Sequence, residues 1–251
     1  MKPTTFLTQL LPSLLFSSPA NALVGGSPAP SDAAPYAAAI LSSGWFGDNY
    51  ICTGSLIAPR TILTSAECVH GSSASSLKVR TGSANRSSGG KVIQVVQVIM
   101  HPNYNTNTHS FNVAVLRLQD KVADIEPVLI ASESAVSGTP VTLYGWGKTD
   151  KAILDLVYPE SLQTLETAAI SAADCVSFYD DLNPVSKEMM CDAAPQKEQG
   201  SCEGDQGGPI VNEAGELVGM MGHYGYCNAD GRPDQNMDPV PLGDWIASNS
   251  A

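Results

Sequence analysis

Short apolar stretches alternate with clusters of turn-forming residues from residue 23 to the end of the chain. The clearest of these stretches are 50–57, 62–65, 92–100, 113–118 and 141–144. Their length and spacing are typical of β-barrels and β-sandwiches, so the pattern predicts an all-β fold. Helical periodicity is weak, and the two candidate helices are 171–179, with Ser171 as a possible cap, and 242–248.

The first 22 residues form a different kind of segment. Lys2 precedes an apolar run from Phe6 to Phe16, and small residues follow up to Ala22. This order is that of a secretory signal peptide, with cleavage predicted after Ala22. The apolar run is too short to cross a bilayer. We therefore expect residues 1–22 to be removed and residues 23–251 to be a soluble, secreted protein.

The net charge of the chain argues against two classes of binding partner. The 251 residues contain 13 Lys and Arg against 25 Asp and Glu, a formal net charge of −12. Such a chain repels nucleic acid and anionic membrane surfaces, so neither is expected as a partner. Residues 68–119 contain basic but no acidic side chains, whereas residues 120–251 are strongly acidic. The uneven distribution fits either an ordinary solvated surface or an oriented docking surface.

Two motifs concern covalent modification. The six cysteines are an even number, and in a secreted protein they predict three disulfides, although the count alone permits 15 connectivities. Neither a Cys-x-x-Cys pair nor a spaced His pair is present, so we expect no metal and no cofactor. Asn85-Arg86-Ser87 is a glycosylation sequon, which makes Asn85 a candidate glycosylation site.

Six segments, in order and with compatible spacing, carry a family resemblance. They are Leu23-Val24-Gly25-Gly26, Cys52-Thr53-Gly54-Ser55-Leu56-Ile57, Leu63-Thr64-Ser65-Ala66-Glu67-Cys68-Val69, Tyr144-Gly145-Trp146-Gly147, Ser201-Cys202-Glu203-Gly204-Asp205-Gln206-Gly207-Gly208-Pro209 and Asp244-Trp245-Ile246. Together they resemble the trypsin/chymotrypsin-like serine proteases over essentially all of residues 23–251.

The resemblance implies a specific architecture. It predicts two six-stranded antiparallel β-barrels, at about 23–135 and 136–251, with a cleft between them and a C-terminal helix outside. It also selects one disulfide connectivity, and we expect a monomer. The implied pairs are Cys52–Cys68, Cys175–Cys191 and Cys202–Cys227.

The family's catalytic triad is Ser-His-Asp, and other residue types occupy the matching positions. Glu67 stands at the histidine position, Asn112 at the aspartate position and Gln206 at the serine position. An amide is not a nucleophile. We therefore expect the chain not to be an enzyme. Three nearby residues are displaced by three to five positions and are expected to lie out of reach: His70, His109 and Ser201.

The resemblance also implies changes in the specificity pocket. Gly200 stands at the residue that sets primary specificity, Tyr224 replaces a glycine at the pocket entrance, and Asp234 replaces a glycine in the pocket wall. Leu23 and Asp205 match the family's buried pairing of a freed amino terminus with a carboxylate. Residues 68–119 lack the carboxylates of the family's calcium loop, so no calcium site is expected.

These interpretations predict a secreted, inactive protease homologue that acts by binding another protein. The first partner class is a secreted host hydrolase such as a glucanase, because inhibitors of that type share the fold and the altered triad. The alternatives are a cofactor of a protease cascade, a decoy, and a hydrolase that uses Glu67 with Asp205 or Asp234.

Overall fold

The computed structural model describes residues 23–45, 47–148, 158–179, 184–193, 199–222, 227 and 231–250. The predicted signal peptide and Tyr224 lie outside these ranges. The strands are β1 (Ser27–Pro28), β2 (Ala37–Gly44), β3 (Gly47–Ala58), β4 (Thr61–Thr64), β5 (Leu77–Thr81), β6 (Lys91–Met100), β7 (Ala114–Leu118), β8 (Pro140–Gly145), β9 (Gln163–Ile170), β10 (Met189–Ala193), β11 (Pro209–Asn212), β12 (Leu217–Met220) and β13 (Asp234–Met237). The α-helices are α1 (Ala66–Val69), α2 (Ala172–Cys175) and α3 (Gly243–Ser248), and 3₁₀ turns span Ala74–Ser76 and Val176–Phe178.

The first barrel closes in the order β2-β3-β4-β7-β6-β5, and every neighbouring pair is antiparallel. Its interior is filled by branched aliphatic side chains, which suit the pleated surface of a strand. Ile40, Leu56, Ile62, Val79 and Leu116 are all buried in this core. Full closure leaves the barrel no free edge along which another chain could add a strand.

The second barrel closes in the order β8-β9-β10-β13-β12-β11, and the short strand β1 adds to the outside of β9. Leu143, Leu165, Ile210 and Val218 fill its core. Strand β13 is unusual because it has no apolar pattern over its first three residues, although all of them are buried. The prediction of two six-stranded antiparallel barrels is confirmed.

A separate apolar cluster lies between the barrels. Leu63 and Val115 of the first barrel pack with Met220 and Met237 of the second, and Ile246 of α3 joins them. The last turn of the chain also returns to the first barrel, where Thr61 Oγ1 donates to the Ser250 carbonyl oxygen at 3.1 Å. The C-terminal helix predicted near 242–248 is therefore present and packs across the interface.

Three disulfides cross-link the chain. They join Cys52 to Cys68, Cys175 to Cys191 and Cys202 to Cys227. This is consistent with an extracellular protein. Ser171 caps α2, since its hydroxyl oxygen accepts from the Asp174 backbone N–H. Among the described residues, no helix combines the length and the apolar character that crossing a membrane requires.

Candidate functional site

Glu67 and Asn112 form a reciprocal pair at the mouth of the cleft. The Glu67 backbone N–H donates to Asn112 Oδ1 at 2.9 Å, and Asn112 Nδ2 donates to Glu67 Oε1 at 3.1 Å. Ser65 Oγ also donates to Glu67 Oε1 at 3.1 Å. Glu67 lies in the short helix α1 and Asn112 lies two residues before β7, so the two positions meet although they are 45 residues apart. Asn112 is buried and orients the carboxylate of Glu67.

His109 is a site residue that the sequence reasoning placed out of reach. Its Nδ1 lies 3.7 Å from Glu67 Oε2, so the imidazole and the carboxylate form an ion pair whenever His109 is protonated. The backbone explains the position: His109 and Phe111 both have left-handed φ angles, +53° and +52°. Two such residues in close succession turn the segment back toward Glu67. Strain of this kind is uncommon outside sites that use it.

Gln206 lies in the loop that faces Glu67. The Gln206 carbonyl oxygen accepts from the Thr53 backbone N–H at 3.1 Å and is 3.6 Å from the Cys68 sulfur. Its side chain turns inward, where Oε1 accepts the Gly204 backbone N–H at 2.8 Å. The three positions that match the family's triad are therefore brought together. The Gln206 amide also satisfies a loop donor that the family directs at a developing oxyanion.

A surface groove of about 510 Å³ opens beside this group. It is lined by residues of two loops, with His70 on one side and His101 and Tyr104 on the other. Burial, and to a smaller extent the nearby charge of Glu67, raise the pKa of Tyr104 to about 12. The charge of Glu67 therefore acts on Tyr104 in the lining of this groove.

Gly200 and Asp234, which the resemblance assigns to the specificity pocket, lie in the second half of the chain. Gly200 donates its N–H to the Val24 carbonyl oxygen at 3.1 Å, which ties the pocket to the amino-terminal segment. Asp234 is buried, and its Oδ2 accepts from the backbone N–H of Ser201 at 2.7 Å and from its hydroxyl at 3.0 Å. Asp192 is the residue paired with Asp234 on the neighbouring strand. Burial raises the pKa of Asp234, and the charge of Asp192 raises it further.

Asp205 and Leu23 are both completely buried. Asp205 accepts the backbone N–H groups of Gly147 at 2.7 Å and Cys202 at 3.0 Å. Burial nevertheless raises the pKa of Asp205 to about 7. A cation placed beside this carboxylate would stabilise its ionised form. The pairing of Asp205 with a free Leu23 amino group stays a prediction.

Within the described ranges, no group of three or more His, Cys, Asp or Glu side chains is placed to hold a metal ion. The expectation that the protein uses no metal remains a prediction, because residues outside those ranges are not covered.

Comparisons with known proteins agree on one family. The sequence model described as Trypsin matches residues 23–246. The chain is 31% identical to Trypsin beta of Drosophila erecta over 91% of this chain and 88% of that protein. It is 32% identical to Trypsin alpha of Drosophila melanogaster over 91% and 87%. Mouse neuropsin, titled a serine protease, superposes with a TM-score of 0.79 at 26% identity, covering 91% of this chain and all of that one.

These similarities contradict one sequence-based prediction. We expected the chain not to be an enzyme because of Glu67, Asn112 and Gln206. The relatives are named trypsins and the structural neighbour is titled a serine protease, so the similarity points to protease activity instead.

Proposed function

This chain belongs to the trypsin family, and on that premise we propose that it acts outside the cell by binding another protein. The first partner class is a secreted hydrolase such as a glucanase, whose activity the chain would inhibit. Binding a polypeptide is common to proteases and to protein inhibitors, so the family membership supports this proposal in either case. Secretion through removal of residues 1–22 is part of it.

The observation that carries the proposal is Trp45 at the tip of the β2–β3 hairpin. Its side chain is fully exposed, next to Gly44 and close to Gly47. Large aromatic side chains are usually at least half buried, and tryptophan is enriched among the residues that dominate protein interfaces. A tryptophan held in solvent on a closed barrel is suited to fill a pocket on a partner.

Titration of the refolded protein into a secreted β-glucanase tests this function. We expect glucanase activity to fall in proportion to the protein added, up to one equivalent. Trp45→Ala is expected to weaken the interaction at least tenfold, because it removes the anchoring ring. Leu129→Ala is the matched control, since Leu129 is also an exposed apolar residue but lies outside the hairpin. Equal inhibition by both variants would contradict the role of Trp45, and unchanged glucanase activity would exclude this partner.

A second candidate function is hydrolysis of polypeptides, which the names of the relatives favour. The specific observation is the Glu67–His109 pair, 3.7 Å apart and next to the open groove. In this proposal the imidazole accepts a proton from a water molecule as its oxygen bonds to the peptide carbonyl carbon. The proton then passes to the leaving amine as the C–N bond breaks. Glu67 stabilises the imidazolium in between.

A panel of peptide substrates tests hydrolysis directly. We expect Glu67→Gln and His109→Asn each to lower the rate at least a hundredfold, the range typical of lost acid-base catalysis. Glu126→Gln, which changes an exposed carboxylate, should leave the rate unchanged. A wild-type protein that turns over none of the peptides, or variants that cleave as fast as wild type, would exclude this function.

A further inference from the structure

The segment 82–90 connects β5 and β6 and contains the sequon Asn85-Arg86-Ser87. The Asn85 side chain is exposed to solvent. Its backbone N–H donates to Ser83 Oγ at 3.0 Å, and the Ser83 hydroxyl donates to the Ser88 carbonyl oxygen at 2.7 Å. The loop is therefore ordered by its own hydrogen bonds while the amide of Asn85 faces outward.

Arg86, the middle residue of the sequon, fixes this orientation. Its Nε donates to the Pro159 carbonyl oxygen at 2.9 Å, and its guanidinium donates to Glu160 at 2.8 Å. The same group lies 5.8 Å from the ring centroids of Tyr50 and Tyr158. Because Arg86 is held against the body of the protein, its neighbour Asn85 has to project away from it.

We propose that Asn85 carries an N-linked glycan and that the glycan is attached before the chain folds. In the transfer, Asn85 Nδ2 forms a bond to the anomeric carbon of a lipid-linked oligosaccharide. The bond from that carbon to the lipid pyrophosphate breaks, and the amide loses one proton. The proposal concerns modification during secretion and is independent of the proposed binding function.

The order of events follows from the folded contacts of the sequon. The Ser87 hydroxyl, which is part of the acceptor motif, donates to the Glu160 carboxylate. Asn85 pairs with Ser161 in an isolated β-bridge, and the Arg86 backbone N–H donates to the Glu160 carbonyl oxygen at 3.0 Å. In the folded protein the acceptor segment is thus held in an extended bridge with its hydroxyl engaged. A transferase has to reach it earlier.

Secretion from a eukaryotic host, followed by intact-mass and peptide-mass analysis, tests the site. We expect the wild-type protein to carry a glycan that an N-glycan amidase removes, converting Asn85 to aspartate. Asn85→Gln and Ser87→Ala should abolish the added mass. Ser87→Thr, which keeps the sequon, and Ser88→Ala, which alters only its neighbour, should retain it. Unmodified Asn85 in the secreted wild-type protein would overturn the proposal.

A second experiment tests whether the glycan is attached before the chain folds. Protein made without glycan is offered to a microsomal transferase and its lipid-linked donor in two forms, refolded with its disulfides and reduced in denatured form. We expect the reduced chain to be modified at least tenfold more than the refolded one. Equal modification of both forms would show that folding does not protect the sequon, and the claimed order would fall.

Discussion

Gly207→Ala is expected to destabilise the protein by about 3 kcal/mol or more. Gly207 has φ +80°, and a Cβ there would lie 2.1 Å from Thr64 Oγ1 and 2.4 Å from the Thr53 carbonyl oxygen. The left-handed conformation alone costs an alanine about 1 kcal/mol, and an overpacked contact costs about 1–3 kcal/mol more. Because the Thr53 atom belongs to the backbone of β3, rotation of a side chain cannot relieve this contact.

Denaturant unfolding of Gly207→Ala and Gly138→Ala separates the two causes. Gly138 is also left-handed, with φ +89°, but nothing lies within 4 Å of a Cβ built there. We expect Gly138→Ala to lose only about 1 kcal/mol, the cost of the conformation. Equal losses in the two variants would mean that the loop around Gly207 can move away from the first barrel, contrary to the packing described above.

The free energy of unfolding is expected to fall as the pH rises from about 4 to about 7. Asp192 and Asp234 are buried carboxyls paired across β10 and β13. Burial raises the pKa of Asp192 from 3.8 to about 6, and the pKa of Asp234 is raised by burial and then by Asp192. The folded state therefore holds these protons more tightly than the unfolded chain. That stabilisation is complete below pH 4 and is lost as the pH passes the folded pKa values.

A shift of about two pKa units at Asp192 corresponds to about 3 kcal/mol. In the chain that retains residues 1–22, Asp205, whose burial raises its pKa to about 7, acts in the same direction. Urea unfolding at pH 4, 5.5 and 7 measures the slope, which Asp192→Asn should reduce. Asp32→Asn removes an exposed carboxylate and should leave the slope as it is. A stability that rises over this range would show that the carboxyls are ionised and stabilised by groups other than those described.

The hydrophobic pattern predicted individual strands in both barrels, whereas the two-barrel architecture was predicted from the family resemblance. β6 is the predicted stretch 92–100 with one residue added at its start, and β8 is the predicted stretch 141–144 with one residue added at each end. In both strands a run of apolar residues predicts the strand, and turn-forming residues lie on either side of it. The predicted helix at 171–179 divides into α2, which Ser171 caps, and a 3₁₀ turn.

The hydrophobic pattern does not predict a strand whose residues are buried through polar contacts. β13 begins with Asp234, Gln235 and Asn236, a run that reads as a loop. Asn236 Nδ2 donates to Asp192 Oδ1 at 2.7 Å, and Asp234 accepts from Ser201, so the strand is buried through hydrogen bonds instead of apolar packing. Such partners come from distant parts of the chain and leave no local signal.

The candidate site also contains residues that the sequence predicted and one that it did not. The family resemblance placed Glu67, Asn112 and Gln206 together, and their contacts follow from the fold. It excluded His109, because a shift of three residues was assumed to move the side chain away. The left-handed backbone at His109 and Phe111 reverses that direction. Neither residue is a glycine, and a bulky residue such as Phe111 rarely adopts this conformation, so the sequence did not predict this turn.

A segment from the first half of the sequence packs on the second barrel, and a segment from the second half packs on the first barrel. β1, at residues 27–28, pairs with β9 of the second barrel, while α3 and Ser250 pack against the first. During synthesis β1 has to wait for more than a hundred further residues before β9 exists, and the first barrel lacks α3 until residues 243–248 have been made. Pairings this distant in sequence slow folding. The two barrels are therefore expected to fold together as one cooperative unit, and neither half made alone would be complete.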